Sequence, residues 1–585
     1  MKIKCILPVL ILVLFPGMNT CFSQASGTSG RPMPENIKKF NVPLLGENVF
    51  VFDPSMDMKE IQIVVDTAFA RQSARRSEFS TNRYALLFKP GKYDLDIKVD
   101  YYIQVLGLGE SPEDVVINGA VRSNTTHGNS VLTNFWRSVE NLTVIPADNS
   151  TMVWGVSQAA PLRRVHIKGN LQLFDKGYAS GGFLADSKVD GNITSGPQQQ
   201  WFTRNSDIGK WIGGNWNMMF VGVNGAPTEN WPELPYTTIN ETPFVREKPF
   251  LTFSGKGFSV KVPQLKQNSK GPDWVSGVKS EKTLSIDKFY IAKPGIDNAG
   301  SMNSALKKGK HLLITPGRYF LSKSLNVTKP GTIVMGIGLA TLIPENGNAA
   351  IEISDVDGVT ICGLTIDAGK VFSKELFVAG KPDSRKPHTA NPSFLYDIFF
   401  RVGGPAEGSS GSCIVINSRD IVVDHIWLWR ADHGNGVGWT KNRAANGLIV
   451  NGDNVTIYGL FNEHFQEYQT LWNGNNGRVY FYQSEMPYDP PTVDSWKHDG
   501  IYGYASYKVS DNVKNHEAWG IGIYNVFYDA PVIVDNAIET PSQLEEKIHN
   551  KIIFWLNGNK ESIVKSIING KGGPVNVSNR KATMK

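Results

Sequence analysis

Residues 86–93 read Leu-Leu-Phe-Lys-Pro-Gly-Lys-Tyr, and residues 312–319 read Leu-Leu-Ile-Thr-Pro-Gly-Arg-Tyr. These stretches are two copies of one pattern, and an apolar run containing two glycines follows each of them, at residues 105–109 and 334–338. A pattern that recurs in the same order indicates two structural units of similar build. The chain of 585 residues is also longer than one compact core usually supports.

Short strand patterns follow both copies, for example at residues 139–144 and 359–367. They are about five residues long, and Asn, Gly and Asp stand between them, as in a right-handed parallel β-helix whose coils each add one strand to every sheet. We therefore predict an all-β fold: two tandem right-handed parallel β-helix domains, side by side, with a groove between them. The alternative is a single long β-helix with an irregular middle, which would leave the duplicated opening unexplained.

Composition and turn content place the boundaries of these units. We predict a signal peptide at residues 1–24, an N-terminal β-helix at 25–250, a connector at 251–285 and a C-terminal β-helix at 286–585. The connector is the end of a stretch, residues 225–285, that is rich in Pro, Ser, Lys and Gly and has few strand patterns. Because a stack of parallel strands exposes sheet edges at its ends, we expect caps. Helical spacing suggests them at residues 58–76 and 298–308.

The first residues have the form of an export signal. Lys2 and Lys4 precede an apolar run at residues 6–15, and small or polar residues follow up to Ala25. We therefore expect a secreted, periplasmic or cell-surface protein. Lipidation of Cys21 is the alternative, although the three residues before it make a poor lipobox. No later run of about 18 apolar residues occurs, so no membrane span is expected.

Composition also limits the partners. The formal net charge is only +6, and the basic residues are scattered, which argues against nucleic acid and favours a neutral ligand. Cys362 and Cys413 both lie in strand-like apolar runs and are expected to be buried free thiols. No metal-ligand spacing occurs, so neither a metal nor a cofactor is expected. We expect a monomer.

Between residues 424 and 489 carboxylates and aromatic residues are interleaved. Sugar rings present apolar C–H faces and hydroxyl edges, so such a mixture is what a sugar-binding cleft requires. The candidate sugar-binding residues, five of them from this segment and one from the first half, are Asp432, Trp439, His464, Trp472, Tyr488 and Trp216. Each aromatic residue could instead pack in the core, and the Asp-His-Gly sequence that begins at Asp432 is common in structural turns.

Glu463 and Glu485 are 22 residues apart (485 − 463), which is close to one β-helix coil. Equivalent positions on successive coils stack at about 4.8 Å. Two carboxylates at that distance in a partly buried groove cannot both ionise freely, so the pKa of one should rise, as a general acid needs. The alternative is that Glu463 pairs with Arg430 or Arg478 and is structural.

The chain resembles glycoside hydrolase family 55, exo-acting β-1,3-glucanases (laminarinases) with two tandem β-helices. The stretches that carry the resemblance are residues 154–159 (Trp-Gly-Val-Ser-Gln-Ala), 180–186 (Ser-Gly-Gly-Phe-Leu-Ala-Asp), 198–205 (Gln-Gln-Gln-Trp-Phe-Thr-Arg-Asn), 459–464 (Gly-Leu-Phe-Asn-Glu-His), 468–469 (Tyr-Gln) and 483–488 (Gln-Ser-Glu-Met-Pro-Tyr). Their order across both halves is specific.

The resemblance implies roles for four residues. Glu485 would be the general acid, and Glu463 would help to hold the nucleophilic water and tune the acid. Gln158 and Ser180, in the first half, would bind that water. It further implies release of glucose from the non-reducing end with inversion, although carboxylates near 5 Å are more typical of retaining enzymes. We reconcile the two by placing Glu463 beside the acid on one wall, with the water held from the Gln158 side.

Other proteins with a β-helix fold need different functional residues. A pectate lyase needs a Ca²⁺-binding acidic group, and a polygalacturonase typically has an adjacent Asp pair, but no Asp-Asp dipeptide occurs in this chain. A non-catalytic carbohydrate-binding β-helix would need neither paired carboxylates nor a second half. These readings remain the alternatives to hydrolysis of β-1,3-glucan.

Overall fold

A computed structural model of the protein describes residues 34–74, 77–275 and 282–585. The predicted signal peptide and Cys21 lie outside the described residues. The helices, including short 3₁₀ turns, are α1 (Glu35–Lys38), α2 (Met58–Gln72), α3 (Ala299–Lys307) and the turns Ser77–Phe79, Pro112–Asp114, Asp148–Ser150, Ile286–Lys288, Val493–Ser495 and Ser542–Lys547.

The first half is a parallel β-helix. One face is the parallel sheet β1-β2-β4-β6-β8-β10-β12-β14-β15, and the remaining strands pair with one another on the other faces. The strands are β1 (Val49–Phe52), β2 (Tyr84–Phe88), β3 (Gly91–Lys98), β4 (Ile103–Gly107), β5 (Val115–Arg122), β6 (Ser138–Pro146), β7 (Thr151–Val153), β8 (Pro161–Ile167), β9 (Asn170–Gln172), β10 (Phe183–Ala185), β11 (Lys188–Thr194), β12 (Gln200–Arg204), β13 (Asp207–Ile212), β14 (Asn217–Val221) and β15 (Tyr236–Ile239).

Short antiparallel strands join the two halves: β16 (Thr242–Arg246), β17 (Phe250–Ser254), β18 (Gly257–Val262), β19 (Leu265–Ser269) and β20 (Lys282–Ser285). β16 pairs with β19, and β18 pairs with both β17 and β20. Residues 225–285 are therefore richer in strands than the sequence suggested. Polar residues such as those of β19 hide the apolar alternation by which strands are recognised.

The second half is a longer parallel β-helix. Its sheet β21-β22-β25-β27-β29-β31-β33-β35-β39-β42 faces the first half and ends in the antiparallel β44, and a second sheet runs β24-β26-β28-β30-β32-β34-β38-β41. The strands are β21 (Phe289–Ala292), β22 (His311–Ile314), β23 (Arg318–Leu321), β24 (Leu325–Val327), β25 (Ile333–Pro344), β26 (Ile351–Ile353), β27 (Thr360–Asp367), β28 (Ser373–Ala379), β29 (Ser393–Val402), β30 (Ser410–Ile416), β31 (Ile421–Arg430), β32 (Ala444–Val450), β33 (Thr456–Glu463), β34 (Thr470–Trp472), β35 (Gly477–Glu485), β36 (Lys497–His498), β37 (Ile501–Tyr502), β38 (Tyr507–Val509), β39 (His516–Phe527), β40 (Ile533–Val534), β41 (Ile538–Glu539), β42 (Ile548–Gly558), β43 (Ile563–Val564) and β44 (Lys581–Met584).

A helix packs onto the start of each β-helix, as the apolar spacing predicted. The buried face of α2 joins the core of the first half, and Asp57 caps its N-terminus. In the second half, α3 buries Met302 and Leu306 in the core, with Asn298 as its cap. These side chains cover the apolar interior that the first coil would otherwise expose. Cys362 and Cys413 are buried and free, as expected.

An apolar layer joins the two halves. Phe183 and Phe202 of the first half pack in one cluster with Phe399, Trp427 and Phe461 of the second. Side chains of this size remove a large apolar area from water. The two halves are therefore held in a fixed relative position, which a site built from both of them requires.

Buried charges cross the same interface. Arg163 and Arg204 of the first half both contact the Asp424 carboxylate, at 2.8 Å each. Arg163 also binds Asp397 at 2.8 Å. Burial alone would raise the pKa of Asp397, but Arg163 and Lys248 hold it well below its ordinary value. These pairs fix the register between the halves.

Replacing Asp424 by alanine should destabilise the protein by about 3–5 kcal/mol, because the buried guanidinium groups of Arg163 and Arg204 would lose the carboxylate that they share and keep only Asp397 and Glu247. Urea unfolding followed by tryptophan fluorescence measures this. Asp453→Ala is the control, since Asp453 forms a partly exposed pair with Arg419 at 3.3 Å and its loss should cost less than about 1 kcal/mol. Equal effects of the two substitutions would contradict a role for Asp424 in joining the halves.

Candidate active site

Two glutamates lie side by side where the facing strands of the second half end. Glu463 is the last residue of β33 and Glu485 the last of β35, and the two are direct partners in the parallel ladder. Parallel strands stack at about 4.8 Å, so the two carboxylates project from one wall on adjacent coils. Their separation of one coil is therefore the arrangement predicted from the sequence.

Glu463 is buried and held by two N–H donors. The side-chain amide of Gln158, from the first half, donates to Glu463 Oε1 at 2.7 Å, and the indole N–H of Trp427 donates to Oε2 at 2.9 Å. The alternative pairing with Arg430 is wrong, because the guanidinium of Arg430 binds Asp489 at 2.8 and 2.9 Å. Arg478 is also excluded, since it lies at the opposite end of β35. Glu463 thus faces the other half of the molecule.

Glu485 is less deeply buried, with 13% of its side chain exposed. The hydroxyl of Tyr488 donates to its Oε2 atom, and the amide of Gln483 lies 3.4 Å from Oε1. The Nε2 atom of His464 is 3.6 Å from Oε2. Of the two carboxylates, Glu485 is therefore the one that a ligand can reach.

The two carboxylates and His464 form one electrostatic unit. Burial, and then the charge of Glu485, raise the pKa of Glu463 to about 8. Burial by itself would lower the pKa of His464. The contact with Glu485 and the charge of the nearby Asp432 outweigh burial and raise the pKa of the imidazole to about 9. At neutral pH Glu463 therefore keeps its proton.

The opposite wall comes from the first half. Gln158 and Ser180 precede β8 and β10, and Gln200 begins β12, so the starts of these strands meet the ends of β33 and β35. The Ser180 hydroxyl oxygen accepts hydrogen bonds from the side-chain amides of Gln158, at 3.3 Å, and Gln200, at 3.2 Å. With both of these bonds accepted, Ser180 can direct its own proton toward a ligand. The structure therefore brings Gln158, Ser180, Glu463 and Glu485 together.

Aromatic side chains close one end of the site. Trp427 stacks on Trp429 at 5.4 Å, and both pack against Trp136 of the first half, at 5.5 and 5.8 Å. Phe79, in the turn after α2, stacks on Trp429 at 6.3 Å. Beyond the glutamates in the other direction, Trp216 lies between Tyr524 and Phe554, with ring centres at 5.0 and 4.7 Å. Trp136, Trp427 and Trp429, here called the tryptophan wall, are buried and fill the interface between the two halves at this end of the site.

The residues predicted to bind sugar have different positions. Tyr488 and His464 pack together beside Glu485, with ring centres 4.3 Å apart. Asp432 is on the rim and pairs with His433 at 2.9 Å. Trp439 is half-buried below the guanidinium of Arg430, at 5.6 Å.

Trp216 is half-buried on the first-half wall, next to Tyr524. The prediction for Trp472 was wrong, because its side chain is fully buried in the core of the second half and packs on His516 at 4.6 Å. Trp472 lies on the inward face of β34, where no ligand can reach it.

Sequence reasoning missed residues that support the two carboxylates. Gln483, two positions before Glu485, lies on the same face of β35, and period-two spacing could have identified it. Trp427 is one of several aromatic residues in its segment, and no local pattern distinguishes it as the residue that binds Glu463. Tyr524 is the ladder partner of Glu485 on the next coil, where an irregular coil length hides the relation.

Among residues 34–74, 77–275 and 282–585, no group of three or more His, Cys, Asp or Glu side chains is placed to hold a metal ion. Over those same ranges, no helix has the length and apolar character needed to cross a membrane.

Comparisons with known proteins point in one direction. Residues 289–485 match a family model described as the LAM55 pectate lyase-like domain. An exo-β-1,3-glucanase of Streptomyces sp. (strain SirexAA-E / ActE) is 45% identical over 536 residues, which are 91% of this chain and 87% of the relative. The structure of sacteLam55A from Streptomyces sp. SirexAA-E superposes with a TM-score of 0.89 at 43% identity, covering 92% of this chain and 98% of that one. A variant of sacteLam55A with one glutamate replaced by alanine, in complex with glucose, matches with the same values.

Proposed function

Because this chain belongs to glycoside hydrolase family 55, the exo-β-1,3-glucanases, we propose that it hydrolyses β-1,3-glucan of the laminarin type. It would release glucose from the non-reducing end with inversion of configuration. The observation that carries this proposal is the adjacent pair of Glu463 and Glu485, which faces the polar wall of Gln158 and Ser180. In the proposed reaction the two glutamates share the proton that Glu463 holds.

Glu485 is the general acid of the proposed reaction. It is the carboxyl group that a sugar can reach, and Tyr488 and Gln483 fix its orientation. When the shared proton lies on Glu485, it passes to the glycosidic oxygen as the bond to the anomeric carbon breaks. The cationic His464 at 3.6 Å then stabilises the carboxylate that remains.

Glu463 receives the proton of the attacking water. Ser180 and Gln158 bind the water on the first-half side, and Glu463 is ionised while Glu485 carries the shared proton. After the reaction Glu463 is protonated and Glu485 is not, which is the distribution that burial of Glu463 favours. Transfer of one proton between these neighbours restores the acid. No third carboxylate takes part in this cycle. Glu463 therefore accepts the proton of the water and, as the neighbour of Glu485 on the same wall, returns it to the acid.

The buried tryptophans at one end of the site support exo action. In the proposed binding mode a glucan chain enters from the Tyr524 side, and its terminal sugar lies against the tryptophan wall. The signal-like residues 1–24 support export to act on external polysaccharide.

The anomeric form of the first product tests this proposal. Purified protein mixed with laminaritriose or laminarin in an NMR tube should release α-glucose before mutarotation, because water attacks a β-linkage from the opposite face. β-Glucose as the first product would contradict inversion and assign Glu463 or another carboxylate as a nucleophile. Absence of glucose would contradict the glucanase function. An unsaturated product that absorbs at 235 nm would instead indicate a lyase.

A further inference from the structure

A second surface with sugar-binding chemistry lies on the C-terminal half, away from the catalytic glutamates. A cavity of about 250 Å³ opens at the ends of β23, β25 and β27 and includes the side chains of Arg318, Phe320 and Lys370. Half of the Phe320 side chain is exposed, at 50%, although phenylalanine is usually buried. The Arg318 guanidinium lies over its ring at 5.2 Å, which holds the ring in place.

The charges around Phe320 balance. Arg318 and Lys370 lie around the cavity with Glu345 and Glu407, and the last three are exposed. Asp367 also lines the cavity, but its carboxylate is paired with Arg401 at 2.6 Å. An aromatic face ringed by donors and acceptors of both signs suits a neutral, hydroxylated ligand and does not favour a polyanion. The half-exposed Val371 and Phe372 directly follow Lys370 and extend the apolar surface. A cavity of the same volume in the first half, around Arg122 and Met152, has no aromatic lining.

The ladder of the second half relates this cavity to the catalytic site. Phe320 pairs with Ile343 of β25, and β25 pairs with β27. From Asp367, the last residue of β27, the ladder continues through Arg401 and Trp429 to Glu463. Five steps of about 4.8 Å separate Phe320 from Glu463 by about 24 Å. The tryptophan wall stands between them, so a chain held by Glu485 cannot reach Phe320 directly.

We propose that the cavity around Phe320 is an ancillary binding site for a second β-1,3-glucan chain of the same polymer, which anchors the enzyme on the substrate surface. This inference rests on the proposed function. Phe320 stacks on a sugar face, and Arg318, Lys370, Glu345 and Glu407 hydrogen-bond to hydroxyl groups. Because this site and the pocket open separately, binding at Phe320 leaves the pocket free to receive a chain end.

Binding to insoluble linear β-1,3-glucan particles tests the site. The Glu485→Gln variant is used as background, so that no polymer is consumed and the catalytic pocket is the same in every variant compared. In this background Phe320→Ala should weaken particle binding by about three- to tenfold, the effect expected for loss of one aromatic stacking contact. Lys370→Ala should weaken it less. The control is Ile63→Ala, which removes an exposed apolar side chain from α2 and should leave binding unchanged.

Activity separates this inference from the proposed function. In the otherwise native enzyme, Phe320→Ala should leave kcat/KM for laminaritriose unchanged and lower the rate on the particles. Suppose that the native protein hydrolyses laminaritriose and that Phe320→Ala does not weaken particle binding. The ancillary site would then be excluded, while the proposed function would stand. If the native protein does not hydrolyse laminaritriose, the proposed function fails. If the protein bound polygalacturonate particles as tightly as β-1,3-glucan particles, the preference for a neutral polymer would be contradicted.

Discussion

Replacing Glu485 by glutamine should lower kcat for glucose release from laminarin by roughly 10²–10⁴-fold, the range expected for loss of a general acid. Glutamine keeps the size of the side chain but cannot supply the proton that the leaving oxygen requires. A 2,4-dinitrophenyl β-glucoside, whose leaving group needs no protonation, should retain most of its bond-cleavage rate in this variant. The comparison of the two substrates identifies the role of the residue.

The control for this substitution is Glu467→Gln, which changes an exposed carboxylate four residues after Glu463 and should leave both rates unchanged. An equal loss of activity on laminarin and on the activated glucoside would show that Glu485 does not act as the acid. Retention of laminarin hydrolysis above about a tenth of the native rate would exclude a catalytic role for Glu485 altogether.

Replacing Glu463 by glutamine should lower kcat by roughly 10²–10⁴-fold, because the water would lose its proton acceptor. The same change should make the protein more stable at alkaline pH. The pKa of Glu463 is raised by burial from 4.5 to about 8, so the folded protein holds a proton that the unfolded chain releases within that range. Native stability therefore falls as the pH rises from about 4.5 to about 8, and the glutamine variant avoids this loss.

Thermal unfolding at pH 5, 7 and 9 measures the second effect. Relative to the native protein, the melting temperature of Glu463→Gln should rise with pH, by about 2 °C or more at pH 9. The difference should shrink toward pH 5, where the folded protein holds the Glu463 proton and the unfolded chain, with a pKa of 4.5, is still partly protonated. A difference that does not depend on pH would contradict the burial of an ionisable Glu463. Activity of the native enzyme should decline above about pH 8, as the pair loses its shared proton.

The periodic features of the fold could be predicted from the sequence because they are local. The duplicated stretch that begins at residue 86 and recurs at residue 312 indicated two β-helices, and helical spacing after residue 58 indicated the capping helix α2. The 22-residue offset between Glu463 and Glu485 also identified these two residues as ladder partners. Where coils have a regular length, residues one coil length apart in the sequence stack on each other in the sheet.

The environment of each side chain depends on contacts between distant parts of the chain and could not be predicted from the sequence. Trp472 and Tyr488 look alike as aromatic residues in one segment, but one points into the core and the other bonds to Glu485. Likewise, the sequence could not reveal that Trp427 and Gln158 both bind Glu463, or that Arg430 is bound to Asp489.

The two β-helices and the adjacent pair of glutamates could be predicted from local sequence patterns, and the family resemblance predicted the substrate class. Only the folded chain shows which glutamate is buried and which is open to a ligand, where the tryptophan wall lies, and how the halves align through Asp424. The physical reason is that strand stacking repeats at a fixed distance along one chain segment, whereas burial and pKa depend on side chains more than 300 positions apart, as with Gln158 and Glu463 (463 − 158 = 305).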